Sequence, residues 1–189
     1  MIWLSVNVAD SDNSLLRSKI NTSSASWTRP QPSLIKCNVG MAWSNTSGHS
    51  GASWITRDTQ GLALHHSRRA YPSTSSKREA DLQSLFWAVE SMWNMRQRNV
   101  IFETSSPEVR EAILRPDLFR ELELHRQNIF CLFNLKCSWS LEHVSAPRNR
   151  VAQLIADSVI LGSRSQSYIS VGGPAWLRHS LDQERRNSA

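Results

Sequence analysis

The residues of this chain able to do chemistry are dispersed along it. Asp81 stands four residues before Leu85, in a segment whose apolar positions recur at three- and four-residue steps. It therefore lies on or beside a buried helical stripe, where an acid is unusual. His65 and His66 are adjacent in a strand-like run, so they point to opposite faces and do not chelate one metal together. Cys37, Cys131 and Cys137 are odd in number and form no C-x-x-C pair, which argues against a disulfide framework and a zinc site. No G-x-S-x-G elbow, P-loop or dinucleotide glycine pattern occurs, and Ser, His and Asp form no recognisable triad. What stands out is charge. The formal net charge is +6 and the pI about 9.8, a basic surplus that favours polyanions such as nucleic acid.

The elements that must position these groups are readable from periodicity. Leu34 to Trp43 alternates apolar and other residues with a period of two, which predicts a strand. Polar, glycine-containing turns at Ser44–Ser50 and Asp58–Gly61 separate it from strands predicted over 51–57 and 62–71, an antiparallel meander. Ser75 or Ser76 is placed to cap a helix over 77–97, with Leu82, Leu85, Phe86, Val89, Met92 and Trp93 inward. Residues 99–105 read as a fourth strand, parallel to a neighbour because a helix precedes it. Ser106-Pro107 opens a short helix, and Pro116 restarts one over about 117–131. A fifth strand is expected over 135–144 and a last helix over 148–162, with Val151, Leu154, Ile155 and Val159 inward.

The fold class expected is α/β: a five-stranded mixed sheet, three antiparallel strands then two parallel additions, with helices on its faces in the order βββαβααβα. The domain is placed at 31–163. Residues 1–30, rich in Ser and Asn, are expected to be a poorly ordered leader, and 164–189 a tail. The composition, 40% hydrophobic and 20% charged over 189 residues, suits one globular domain. No apolar run approaches the ~20 residues of a membrane-spanning helix, and the N-terminus makes no convincing signal peptide. A reducing compartment, nucleus or cytoplasm, is the expectation.

Several patches, met in order, closely resemble one family. Lys36-Cys37-Asn38-Val39 opens the first strand, and Arg57-Asp58-x-x-Gly61 follows the second. Glu79-Ala80-Asp81-Leu82-Gln83 lies in the first helix and Phe102-Glu103-Thr104 in the fourth strand. His143-Val144 and Asn149-x-Val151-Ala152 lead into the last helix, and Pro174-Ala175-Trp176-Leu177 lies near the end. Together, over roughly 27–178, they resemble the plant retroelement-type ribonuclease H-like family, with the ribonuclease H type-1 domain.

The resemblance implies the ribonuclease H-like fold and hydrolysis of the RNA strand of an RNA–DNA hybrid. It also implies two divalent ions, Mg or Mn, held by four carboxylates, since hard cations prefer oxygen ligands and two of them ~3.5–4 Å apart serve both attacking and leaving oxygens. The four positions fall on Gly40, Asp81, Ser105 and Gln153, so only Asp81 is acidic, a weak metal ligand by itself. Glu103 and Asp157 lie near but are displaced by two strand residues and by one helical turn. His143 matches a strand-end histidine tied to proton transfer or product release, and is taken with Asp81 as a catalytic candidate. Arg57, Arg68, Arg69, Lys77, Arg78, Arg148 and Arg150 are the candidate phosphate contacts. The leading expectation is a retrotransposon-derived pseudoenzyme that binds hybrid through a degenerate site. The alternatives are an active metal-dependent hybrid ribonuclease and an inactive relic or protein-interaction scaffold.

Overall fold

The computed structural model describes residues 26–115, 123–134 and 138–188. The alternating run becomes β1, Ile35–Trp43, and is followed by β2, Ser50–Arg57, and β3, Ala63–Tyr71. The meander is antiparallel as expected, with Lys36 opposite Arg57 and Ser53 opposite Arg68. Helix α1, Lys77–Asn94, leads to β4, Asn99–Thr104, which lies parallel to β1 with Val39 opposite Thr104. Then come α2, Pro107–Leu114, α3, Glu123–Phe133, and β5, Ser138–His143, parallel to β4. The last expected helix is α4, Arg150–Leu161. The start of the helix predicted at 117 and of the strand predicted at 135 lie outside the described residues.

The sheet has six strands, not five, in the order β5-β4-β1-β2-β3-β6. The sixth, β6, Tyr168–Val171, pairs antiparallel with β3 from within the stretch expected to be a tail. It is four residues long with three exposed, so it has no buried face to write an alternating pattern. Helix α5, Arg178–Asn187, follows it, and Leu177 and Leu181 pack with Ile55, Val151 and Ile155. The described end of the expected leader is likewise integral: Trp27 is 1% exposed.

Two cores flank the sheet. On one face α1 lays Leu82, Leu85, Val89 and Met92 against Cys37, Val39, Trp54 and Phe102. Trp93, expected inward, stays at the rim, edge-on to Trp139. Ser76 caps α1, accepting from Glu79 N (3.2 Å), while the Glu79 carboxylate accepts from Ser75 N (2.8 Å).

On the other face α4 approaches unusually closely. A Cβ on Gly51 would fall 2.7 Å from Ala156 O, and a Cβ on Gly40 would fall 2.3 Å from Ala152 O. Ser53, opposite Gly40, hydrogen-bonds the same Ala152 O at 2.6 Å. Glycine in these strands is thus what admits the helix backbone.

Candidate functional site

The C-terminal ends of the parallel strands β1 and β4 form the edge onto which α1 and α4 converge. Val39 and Thr104 pair directly, so Gly40 and Ser105 are the next residues along two neighbouring strands. Asn149, at the threshold of α4, donates its Nδ2 to Val39 O (2.7 Å) and to Ser105 Oγ (3.3 Å). One helical turn on, Gln153 Nε2 donates to Met41 O (2.7 Å) and to Asp157 Oδ1 (2.8 Å). A cleft of about 340 Å³ joins Met41, Trp43, Gln153 and Asp157 to Lys77 of α1. Lys77 Nζ stands 2.7 Å from Glu108 Oε1 and 3.8 Å from Asp81 Oδ2. The structure thus gathers Gly40, Ser105, Gln153 and, through Lys77, Asp81 around one edge.

Asp81 is 3% exposed and its Oδ2 has no hydrogen-bond partner. Burial pushes its carboxyl up to about 7, against the opposing pull of the Ser106 hydroxyl and the Lys77 charge. His143 ends β5 opposite Thr104 and is exposed.

These residues do not fit a pair of divalent ions. Gly40 offers no oxygen from a side chain and has no room for one. The Gln153 amide is committed to Met41 O and Asp157, and the Ser105 hydroxyl accepts from Asn149. Asp81 has a lysine ammonium 3.8 Å from its Oδ2, where a cation site needs further oxygen ligands. Among the described residues no three His, Cys, Asp or Glu side chains cluster as a metal would require. Glu103, considered as a substitute, is also committed elsewhere: Lys36 Nζ is 2.6 Å from its Oε1 and Asn38 Nδ2 donates to its Oε2 at 2.7 Å.

A scan of family profiles matches residues 37–159 to one described as reverse transcriptase-like. The chain belongs to the reverse transcriptase-like family. Solved structures agree on the fold. Ribonuclease H1 from the halophilic archaeon Halobacterium salinarum superposes with a TM-score of 0.56 at 16% identity, covering 68% of this chain and 98% of that one. LC9-RNase H1, a type 1 enzyme with the type 2 active-site motif, gives 0.60 at 16% identity, over 80% of this chain and 84% of that one. LC11-RNase H1, solved in complex with an RNA/DNA hybrid, gives 0.57 at 16% identity, over 68% and 98%. At this identity the likeness establishes the ribonuclease H-like fold. No curated protein sequence matches the chain significantly.

The basic candidates of this reverse transcriptase-like chain differ in exposure and in their contacts. Arg57 is not a phosphate contact. It is 1% exposed, with its guanidinium paired to Glu184, donating to Asn38 Oδ1 (2.9 Å) and lying 3.8 Å over the Trp27 ring. Burial lowers its pKa, and Glu184 opposes that shift. Its partner is 127 positions away, in a helix the sequence reading took for tail, so no local pattern marks the pair. Arg148 is part-buried and donates to Ser26 O (3.2 Å), and Lys77 is engaged by Glu108. Arg78 and Arg150 are exposed at the first turns of α1 and α4. Arg68 and Arg69 are half-buried on opposite faces of β3. Arg68 lies over the Tyr168 ring (4.9 Å), and Arg69 over Tyr71 (5.1 Å) and Trp87 (4.6 Å). Asn149 is the residue that sequence reasoning missed, although it stands inside the matched Asn149-x-Val151-Ala152 patch.

Proposed function

We propose that this chain is a nucleic-acid-binding ribonuclease H-like domain, with RNA–DNA hybrid as its ligand class, whose two-metal site has been lost. The observation that carries the loss is the contact at Gly40, where the α4 backbone stands 2.3 Å from the place of a side-chain Cβ. The binding half is supported by the +6 charge and by a neighbour of the same fold solved on a hybrid. Arg78 and Arg150, exposed at the first turns of α1 and α4, are the phosphate contacts of this reading.

Phosphate contacts make affinity fall with salt, by about 0.9 in log–log slope for each phosphate neutralised on B-form DNA. Fluorescence anisotropy with a labelled hybrid is expected to show a steep salt dependence, shallower by about one unit in Arg150→Ala. A flat response, or no binding to hybrid, overturns the reading. Incubating the protein and Asp81→Asn in parallel with hybrid and Mg²⁺ or Mn²⁺ tests catalysis. Cleavage by the parent that Asp81→Asn abolishes would reinstate the hybrid ribonuclease.

A further inference from the structure

We propose that the chain itself fills the volume and supplies the charge of the lost metal site, so that returning the missing acids does not return a metal. The inference rests on the four positions assigned above and deepens that reading. It says that any nucleic-acid binding by this domain needs no divalent ion, and that the loss is built into the packing.

Two observations converge. The first is steric. Ala152 O occupies the space beside Gly40, and it is held there by the Ser53 hydroxyl at 2.6 Å, by Gln153 Nε2 on Met41 O at 2.7 Å and by Asn149 Nδ2 on Val39 O at 2.7 Å. Three hydrogen bonds thus tie the first turn of α4 to β1 and β2. An aspartate at position 40 must displace backbone, not a flexible side chain. The second is electrostatic. Lys77 Nζ lies 3.8 Å from the unpartnered Asp81 Oδ2 and 2.7 Å from Glu108, and it faces the same cleft as Gln153 and Asp157. An ammonium placed there supplies the positive charge that a bound cation would otherwise bring, and repels any cation that approaches.

The test is a Mn²⁺ titration of the full chain, read by calorimetry and by water-proton relaxation, with no nucleic acid present. The parent and the Ser105→Asp/Gln153→Asp variant are expected to show no saturable Mn²⁺ site. Adding Lys77→Gln to that variant is expected to bring out a saturable Mn²⁺ site, at least about tenfold tighter than the detection limit that the double variant fails to reach, since a unit charge a few ångströms away is removed. Gly40→Ala, the smallest probe of the steric half, is expected to lower the melting temperature by about 5–10 °C. Saturable Mn²⁺ binding by the parent or by the double variant overturns the proposal, as does a Gly40→Ala protein as stable as the parent. Addition of Lys77→Gln with no gain in Mn²⁺ affinity also overturns it. A protein that ignores every nucleic acid but behaves as expected here would sink the proposed function and leave this inference standing.

Discussion

At the start of β1, buried Lys36, Glu103, Asn38 and Arg57 form a continuous chain of charges and one amide that ends on the part-buried Glu184. Further along, Gly40 of β1, Ser105 just past β4 and Gln153 of α4 carry no charge at all. The two regions share a sheet face and one strand pair, and Glu103 and Ser105 are only two residues apart. What separates them is the source of the counter-charge. Glu103 is answered from within the chain, by Lys36 at 2.6 Å and the Asn38 amide, and Arg57 by Glu184 and the Trp27 ring. Carboxylates at 40, 105 and 153 would have depended on cations from solution. Crowded acids repel when such cations are absent, so neutral residues relieve the fold there, whereas removing one member of an internal pair would strand the other. Asp81 tests the rule, because it is buried with no close cation, only the Ser106 hydroxyl and a lysine 3.8 Å away, and burial pushes its carboxyl up.

The largest expected effect breaks the internally paired region. Glu103→Ala leaves Lys36, 6% exposed, without its carboxylate and leaves the Asn38 amide unmet. A loss of about 3–5 kcal/mol in urea denaturation is expected, the cost of an uncompensated buried charge. Replacing both partners, Lys36→Met with Glu103→Met, is expected to recover most of it, since no charge is then stranded. A Glu103→Ala loss no larger than the ~1 kcal/mol of a surface pair would erase the contrast between the two regions.

A smaller effect of opposite sign is expected at Asp81. Its folded-state pKa of about 7 stands above the usual 3.8, so the folded protein holds a proton that the unfolded chain has released between those values. Stability from this group is therefore greatest below about pH 4 and falls as pH rises toward 7. Asp81→Asn removes that slope. It is expected to stabilise the protein by about 2–4 kcal/mol at pH 8 and by nothing at pH 4, measured as paired denaturation curves. A variant less stable than the parent at pH 8 would mean that Ser106 and Lys77 together outweigh the burial of the carboxylate.

How far the molecule was readable in advance follows from the range of the interactions concerned. β1 and α1 were legible because their apolar residues recur at the period of the element, and β2 and β3 because the turns at Ser44–Ser50 and Asp58–Gly61 bracket them, although β2 is buried on both faces. Asp81 was marked for the same reason, as an acid beside the stripe. β6 and α5 were not legible: Ile169 and Val171 are exposed, and α5 anchors through Leu181 and one ion pair to a strand far back in the chain. Arg57 was misassigned to a phosphate surface because its partners, Trp27 and Glu184, lie in segments taken for leader and tail. The four positions were assigned by resemblance alone, since no local spacing joins residues 40, 81, 105 and 153. The contact between Ala152 O and Gly40 depends on how deep one helix settles on one strand, and no spacing of residues encodes that distance.

The smallest effect sharpens the comparison at the mouth of the site. Ser76 accepts from Glu79 N at 3.2 Å and closes the first turn of α1, the turn that presents Lys77 and leads into Asp81. Ser76→Ala is expected to cost about 1 kcal/mol, the usual worth of a cap. Native-state hydrogen exchange should show faster exchange at the amides of 78–80 and unchanged protection at Val89 and Met92, which the core holds. Ser76→Asp is expected to retain the cap and the protection. If Lys77 lies beside Asp81 only because this turn is fixed, Ser76→Ala also loosens the ammonium from the carboxyl and raises the Asp81 pKa further. An Asp81 titration identical in Ser76→Ala and the parent would show instead that Glu108, at 2.7 Å, is enough to hold Lys77 in place.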